Sequence, residues 1–243
     1  MKTIKIATLL LLMGAMTCFG STISKTYYFE KPVLITEEDY TKVHIEDGVT
    51  LGIPGNPAIP YIGIRLLLPQ NESIANISLT LRDEVNLGDY ILYPKQQQVP
   101  LTKKESAKFT EPNPDLYQNE TQFPSSQYTD FSTHYLAGYS IGFLTLTPIK
   151  YIPATGDLSY YKEIVITIDT EYDVTAEMAN RFLFKNLPLE KRLQKLVDNP
   201  EEMDNYIIIQ TRDDDAYDYI IVTSADYADD FQPLADFHAL RGF

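Results

Sequence analysis

Chemistry-bearing side chains are scarce in this chain: one cysteine and three histidines among 243 residues, and no tryptophan at all. A lone cysteine excludes an intramolecular disulfide. His44, His134 and His238 fall in separate segments, none at metal-ligand spacing from another histidine or a cysteine, so the common zinc patterns are excluded too. No G-x-S-x-G, Walker loop or H-E-x-x-H occurs. Positive charge is also short. Twenty Lys+Arg against 34 Asp+Glu leave a net charge of -14, which argues against nucleic acid and anionic membrane surfaces as partners.

A long apolar run occurs at the N-terminus. Lys2 and Lys5 precede the stretch from Ile6 to Met16, and small residues follow around Cys18, Gly20 and Ser21, which is the layout of a secretory signal peptide over residues 1–20. A transmembrane anchor would need about 20 uninterrupted apolar residues. Removing this segment takes Cys18 with it, so the mature chain is expected to be exported and to carry no thiol.

What is abundant is β-forming sequence. The chain has 18 tyrosines and 11 phenylalanines, and two stretches alternate cleanly: Ile77, Leu79, Leu81 and Ile164, Ile166, Ile168. Pro153 to Asp157, containing Gly156, reads as the turn of a hairpin. Residues 21–176 therefore read as an all-β sandwich. Inside it, Leu101 to Phe131 shows no period and is crowded with Pro, Ser, Asn and charge, the texture of a long functional loop. Residues 177–215 read as a connector, with Leu189, Leu193 and Leu196 at helical spacing up to Asn199-Pro200 and an acidic run from Arg212 to Asp218. From 216 to 243 the pattern is one strand, Ile220 to Val222, then one helix carrying Phe231, Leu234 and Phe237. A strand–helix pair of this kind needs strand neighbours and a second covered face, so it reads as the first β-α step of a domain that continues beyond the sequence.

Isolated polar candidates have simpler readings than catalysis. Ser224 sits at a strand end but suits a helix N-cap, and Asp226, Asp229 and Asp230 favour the positive end of the helix that follows. Asp213 to Asp215 lack a calcium-loop pattern, because Tyr217 occupies the third ligand position. The sequons at Asn71, Asn76 and Asn119 matter where the host glycosylates. No active site is visible in these residues.

Several stretches together resemble the precursors of gingipain-type (family C25, clan CD) cysteine peptidases. The first is "EDGVTLGIPGNPAIPYIGIRLLLPQ", with Gly52, Pro54, Gly55, Pro57, Pro60 and Pro69; others are "YPKQQQVPL" and "LTLTPIKYIPATGDLSYYKEIVITI". The tail, including Arg241-Gly242, is similar to the first strand and helix of that family's peptidase domain. The resemblance implies a mainly β, jelly-roll-like sandwich prodomain, a helical connector and a truncated first β-α unit of a caspase-like α/β domain. It implies a secreted zymogen whose prodomain assists folding and keeps the peptidase latent until proteolytic removal. The partners would then be the cognate peptidase domain of the same polypeptide and a processing protease. The catalytic Cys–His pair of the family lies beyond this chain, which is expected to hold no cofactor itself, with calcium an option in the missing domain. A basic side chain on a prodomain loop blocks the cleft in this family, and Lys103, Lys104 and Lys108 are the candidates here; Arg212, with Lys191, Arg192 and Lys195 as weaker options, is the candidate for activation cleavage. A different class stays open beside it: a stand-alone secreted β-sandwich that inhibits a peptidase or binds carbohydrate, the latter through Tyr160 or Tyr161.

Overall fold

The computed structural model describes residues 20–100, 108–208 and 220–240. The chain divides into two compact units, Met1–Ile207 and Ile208–Phe243.

The first unit is built from antiparallel strands. One four-stranded sheet holds β1 (Thr22–Tyr28), β10 (Asp157–Tyr172) and β6 (Glu72–Asp89) in that order, with β9 (Ile149–Ile152) also paired to β10. The other runs β4 (Val49–Leu51), β5 (Ile59–Leu67), β8 (Tyr139–Leu146), β7 (Tyr128–Leu136). A separate hairpin joins β2 (Val33–Glu37) to β3 (Tyr40–His44). The alternation seen in the sequence sets the faces. Ile164, Ile166 and Ile168 are wholly buried and meet Ile74 and Ile77 of β6 and Ile64, Leu66, Leu144 and Leu146 of the second sheet in one core. Each such aliphatic side chain contributes about 1.5–3 kcal/mol on full burial, so this shared core dominates the stability of the unit. The Pro153–Asp157 turn joins β9 to β10 as expected, with Gly156 at φ +80°.

β8 is buried along almost its whole length because both of its faces are covered. Its far face carries Tyr139 and Ile141, which pack with Leu67 against Leu183, Leu189, Leu193, Val197, Met203 and Tyr206. The segment read as a connector thus forms the outer layer of the second sheet, through α2 (Val174–Asn180) and α3 (Leu187–Leu196). Asn186 caps α3, its side chain accepting from Leu189 N at 2.8 Å, and Pro188 opens the first turn. The helix ends at Leu196, three residues before Asn199-Pro200. Asp198 and Asn199 have turned to β5 instead. Asp198 N donates to Arg65 O at 2.8 Å, and Asn199 exchanges two side-chain hydrogen bonds with the backbone of Leu67, at 2.7 and 2.9 Å. These bonds replace the ladder that a neighbouring strand would supply to β5. A 3-10 turn, Pro200–Asn205, follows.

In the second unit, α4 spans Ala228–Ala239 behind a 3-10 turn at Ala225–Tyr227, with Asp229 and Asp230 in its first turn. Ser224 occupies the cap position of the 3-10 turn, but its side chain makes no capping bond. The expected strand at Ile220 to Val222 is absent. Ile220 and Val222 are 72% and 93% exposed, and no ladder partner for them exists among the described residues. A β-branched run adopts a strand when a neighbour takes up its backbone groups, so composition alone does not make one here.

Candidate functional site

The long loop leaves and rejoins the β unit at one anchored point. After β6, residues 91–95 are wedged between β3 and the Gly55–Ala58 turn: Thr41 N donates to Ile91 O and Tyr93 N to Thr41 O, both at 2.8 Å, while Ala58 N donates to Tyr93 O at 2.9 Å. Gly55 N donates to Lys95 O, and Asn113 N on the returning strand of the loop donates to Gly55 O, again at 2.8 Å. Gly55 stands at φ +89°, and a Cβ there would lie 3.1 Å from Glu111 O. Glycine is required at this point both by conformation and by space. That is the physical content of the "IPGNP" motif.

Beneath the anchor, Leu92 is fully buried and its backbone groups are taken by tyrosines. Tyr117 Oη donates to Leu92 O at 2.7 Å, and Leu92 N donates to Tyr151 Oη at 3.4 Å, which in turn donates to Tyr90 O at 3.0 Å. Tyr117 belongs to a short helix, α1 (Pro114–Tyr117), capped by Asn113. Burial pushes the hydroxyls of Tyr117 and Tyr151 above the ordinary tyrosine value, so both remain neutral donors.

The neck itself is a side-chain clamp. Thr110 N donates to Gln96 Oε1 at 2.8 Å, Gln96 Nε2 donates to Thr110 O at 3.2 Å, and Gln97 N donates to Thr110 Oγ1 at 3.3 Å. Beside it Phe109 packs on Tyr40 and Tyr93, each with ring centroids 5.9 Å away, and Lys42 Nζ lies 4.3 Å over the Tyr93 ring. Lys108 is exposed and adjoins this cluster. Lys103 and Lys104, within the loop, lie outside the described residues, as does Arg212. Lys191, Arg192 and Lys195 are exposed on α3.

The other candidates are not brought together. His44 is exposed on β3, His134 Nε2 bonds Ser132 Oγ at 3.0 Å, and His238 lies on α4. Tyr160 and Tyr161 point to opposite faces, and each ends in a core: Tyr160 packs among Val43, Ile59 and Tyr151, Tyr161 among Ile164 and Leu146. Neither is available to a sugar. The loop clamp was not legible in the sequence: Gln96 lies within the "YPKQQQVPL" stretch, but nothing in the sequence pairs it with Thr110.

The first unit is thus an antiparallel β fold that fixes the base of a long loop. The Propeptide_C25 family model matches residues 29–187, more than half of the chain, and the chain belongs to this family, the propeptides of gingipain-type peptidases. In fold it is similar to the complex of Porphyromonas gingivalis RgpB pro- and mature domains, with TM-score 0.59 and 14% identity over 74% of this chain and 94% of that one. A structure on the zymogenic latency of gingipain K from Porphyromonas gingivalis aligns with TM-score 0.49 and 16% identity, over 65% of this chain and 90% of that one. No curated protein matches the chain.

Proposed function

We propose that this chain is the secreted prodomain of a gingipain-like cysteine peptidase zymogen, which assists folding of the peptidase domain and holds it latent until proteolysis. Family membership over residues 29–187 and the likeness in fold to a complex of pro- and mature domains support this reading. The observation that carries it furthest is the clamped neck. A loop that is to occupy a cleft must resist being pulled through or swung aside, and the Gln96–Thr110 pair with the Phe109–Tyr40–Tyr93 cluster holds its base to a fixed place on the β unit. In this reading the β unit is jelly-roll-like, residues 216–243 open the caspase-like peptidase domain, and Arg212 is the activation site. Lys103 and Lys104 lie midway along the chain between Gln96 and Thr110, whereas Lys108 is tied to the neck by Phe109. The inhibitory role therefore falls to Lys103 or Lys104, through pairing with an acidic pocket.

Inhibition of the cognate mature peptidase by the separate chain tests this. Replacing Lys103 and Lys104 by alanine should weaken inhibition by about tenfold or more, the loss expected for a charge-assisted pair. Lys108→Ala should weaken it less. A chain that folds and leaves the peptidase fully active at micromolar concentration would overturn the proposal.

A further inference from the structure

The N-terminal end of β1 is gathered on one carboxylate, that of Glu72 at the start of β6. Ser21 N donates to Glu72 Oε2 and Ser21 Oγ to Glu72 Oε1, both at 3.1 Å, so a single side chain takes both donors of one residue. Thr170 of β10, which is buried, turns its Oγ1 to the same Oε2, and its backbone N donates to Ser21 O at 2.9 Å. Ser21 is therefore fixed by two strands that lie far from it in sequence.

Glu72 is half-buried, and among the described residues no lysine or arginine forms an ion pair with it. Neutral donors satisfy its lone pairs, but a partly desolvated carboxylate gains most from a cation in the same place. The atom already aimed at it is the backbone nitrogen of Ser21. As an amide that nitrogen is neutral; once the peptide bond ahead of it is cut, it is an amine that carries charge. The signal-like segment over residues 1–20 ends at this bond. Residue 20 fits both demands made on it. It passes Thr170 so closely that a Cβ there would lie 1.3 Å from Thr170 O, so only glycine is accommodated, and leader cleavage also asks for a small residue just before the scissile bond.

We propose that Ser21 is the N-terminus of the exported chain and that Glu72 is the receptor for its α-ammonium group. Hydrolysis of the Gly20–Ser21 bond by a leader-removing endopeptidase consumes one water and leaves a carboxylate on Gly20 and an amine on Ser21, which takes up a proton near neutral pH. The existing contact at Glu72 Oε2 then becomes a charge-assisted hydrogen bond with β1 in its present place. Departure of Gly20 also relieves the crowding at Thr170 O. The other acids at this end of β10 are placed differently: Asp169 Oδ1 accepts from Thr22 Oγ1 at 3.0 Å, and Glu171 is exposed. The inference rests on the export part of the proposed function and is independent of latency and of the lysine loop.

The test expresses the whole chain with its own leader in an exporting bacterial host. Intact mass of the exported product should correspond to a start at Ser21. Its α-amine, followed by NMR after isotope-labelled reductive methylation, should titrate about half a unit or more above the ordinary 7.7–8.0, and Glu72→Gln should return it to that range. Glu72→Gln should also lower the melting temperature by about 1–4 °C, the scale of an exposed ion pair. It should cost less in a chain whose α-amine has been acetylated enzymatically, which restores a neutral N–H. The amine of the parent decides the matter even where the variant fails to fold. An unshifted amine, or an equal loss in the free and acetylated chains, would show that Glu72 only accepts neutral donors; it would overturn the anchor and leave the export reading standing. A product starting at another residue would overturn the assignment of Ser21, and one that keeps its leader would overturn the export reading with it.

Discussion

At the scale of the residue, tyrosine is the side chain that this β unit uses to satisfy buried backbone. Tyr206 bonds Leu68 and Ser140, Tyr117 and Tyr151 bond Leu92, and Tyr27 Oη donates to Asp198 Oδ2 at 2.9 Å. Tyr206→Phe removes one partner from each of two buried backbone groups. It should lower stability by about 1–3 kcal/mol in urea unfolding, and an unchanged midpoint would show that water replaces the hydroxyl. The abundance of tyrosine was plain in the sequence, but its use was not. The residues it serves lie up to 171 positions away, as Asp198 does from Tyr27, and no local pattern encodes such a pairing.

Among elements, the alternating strands were legible because a half-buried strand writes its faces into the sequence with period two. Ile164, Ile166 and Ile168 fall where that reading puts them, as does the hairpin before them. The layer formed by α2 and α3 was not recognised. Its helical spacing was visible, but an amphipathic helix does not name the surface it covers. The sheet surface that receives it, Tyr139, Ile141 and Leu67, looks like ordinary strand sequence. Asn199 fastens that layer, and Asn199→Ala would leave the N–H and C=O of Leu67 without the partners described for them. Limited trypsin digestion should then cut at Lys191, Arg192 or Lys195 several times faster than in the parent, because local opening of the helix governs access. Equal digestion rates would mean that apolar packing alone retains α3. Likewise Asp173, whose side chain caps α2 by accepting from Thr175 N at 2.8 Å, has its carboxyl held below the usual range chiefly by that bond. Asp173→Ala should cost about 1 kcal/mol at neutral pH. The parent should lose that increment as the pH falls below about 4, where the unfolded carboxyl takes up its proton and the cap weakens.

For the molecule as a whole, the many shifted tyrosines act together. Burial raises Tyr135 and Tyr206 to about 12 and moves Tyr61, Tyr139, Tyr151 and Tyr161 in the same direction. Each therefore holds its proton more tightly folded than unfolded. Their contribution is complete below about pH 10, the unfolded tyrosine value, and is lost as the pH rises above it, through about 12 for Tyr135 and Tyr206. The net charge of -14 adds self-repulsion in the same direction. Unfolding free energy measured from pH 8 to 12 should fall steeply above pH 10, with tyrosinate absorbance delayed until the transition. A flat profile across that window would contradict the burial described for these rings. Nothing in the order of residues announced this, since the shifts arise from which tyrosines the two sheets enclose.

The neck at Gln96 and Thr110 separates what the loop says from what holds it. Since the two ends meet at a fixed distance, doubling the number of residues between them adds only about 0.6 kcal/mol of closure entropy. The interval 98–108 is in effect an exchangeable cassette: a designer can rewrite it while the scaffold below, with Phe109 kept on Tyr40 and Tyr93, goes on folding as before.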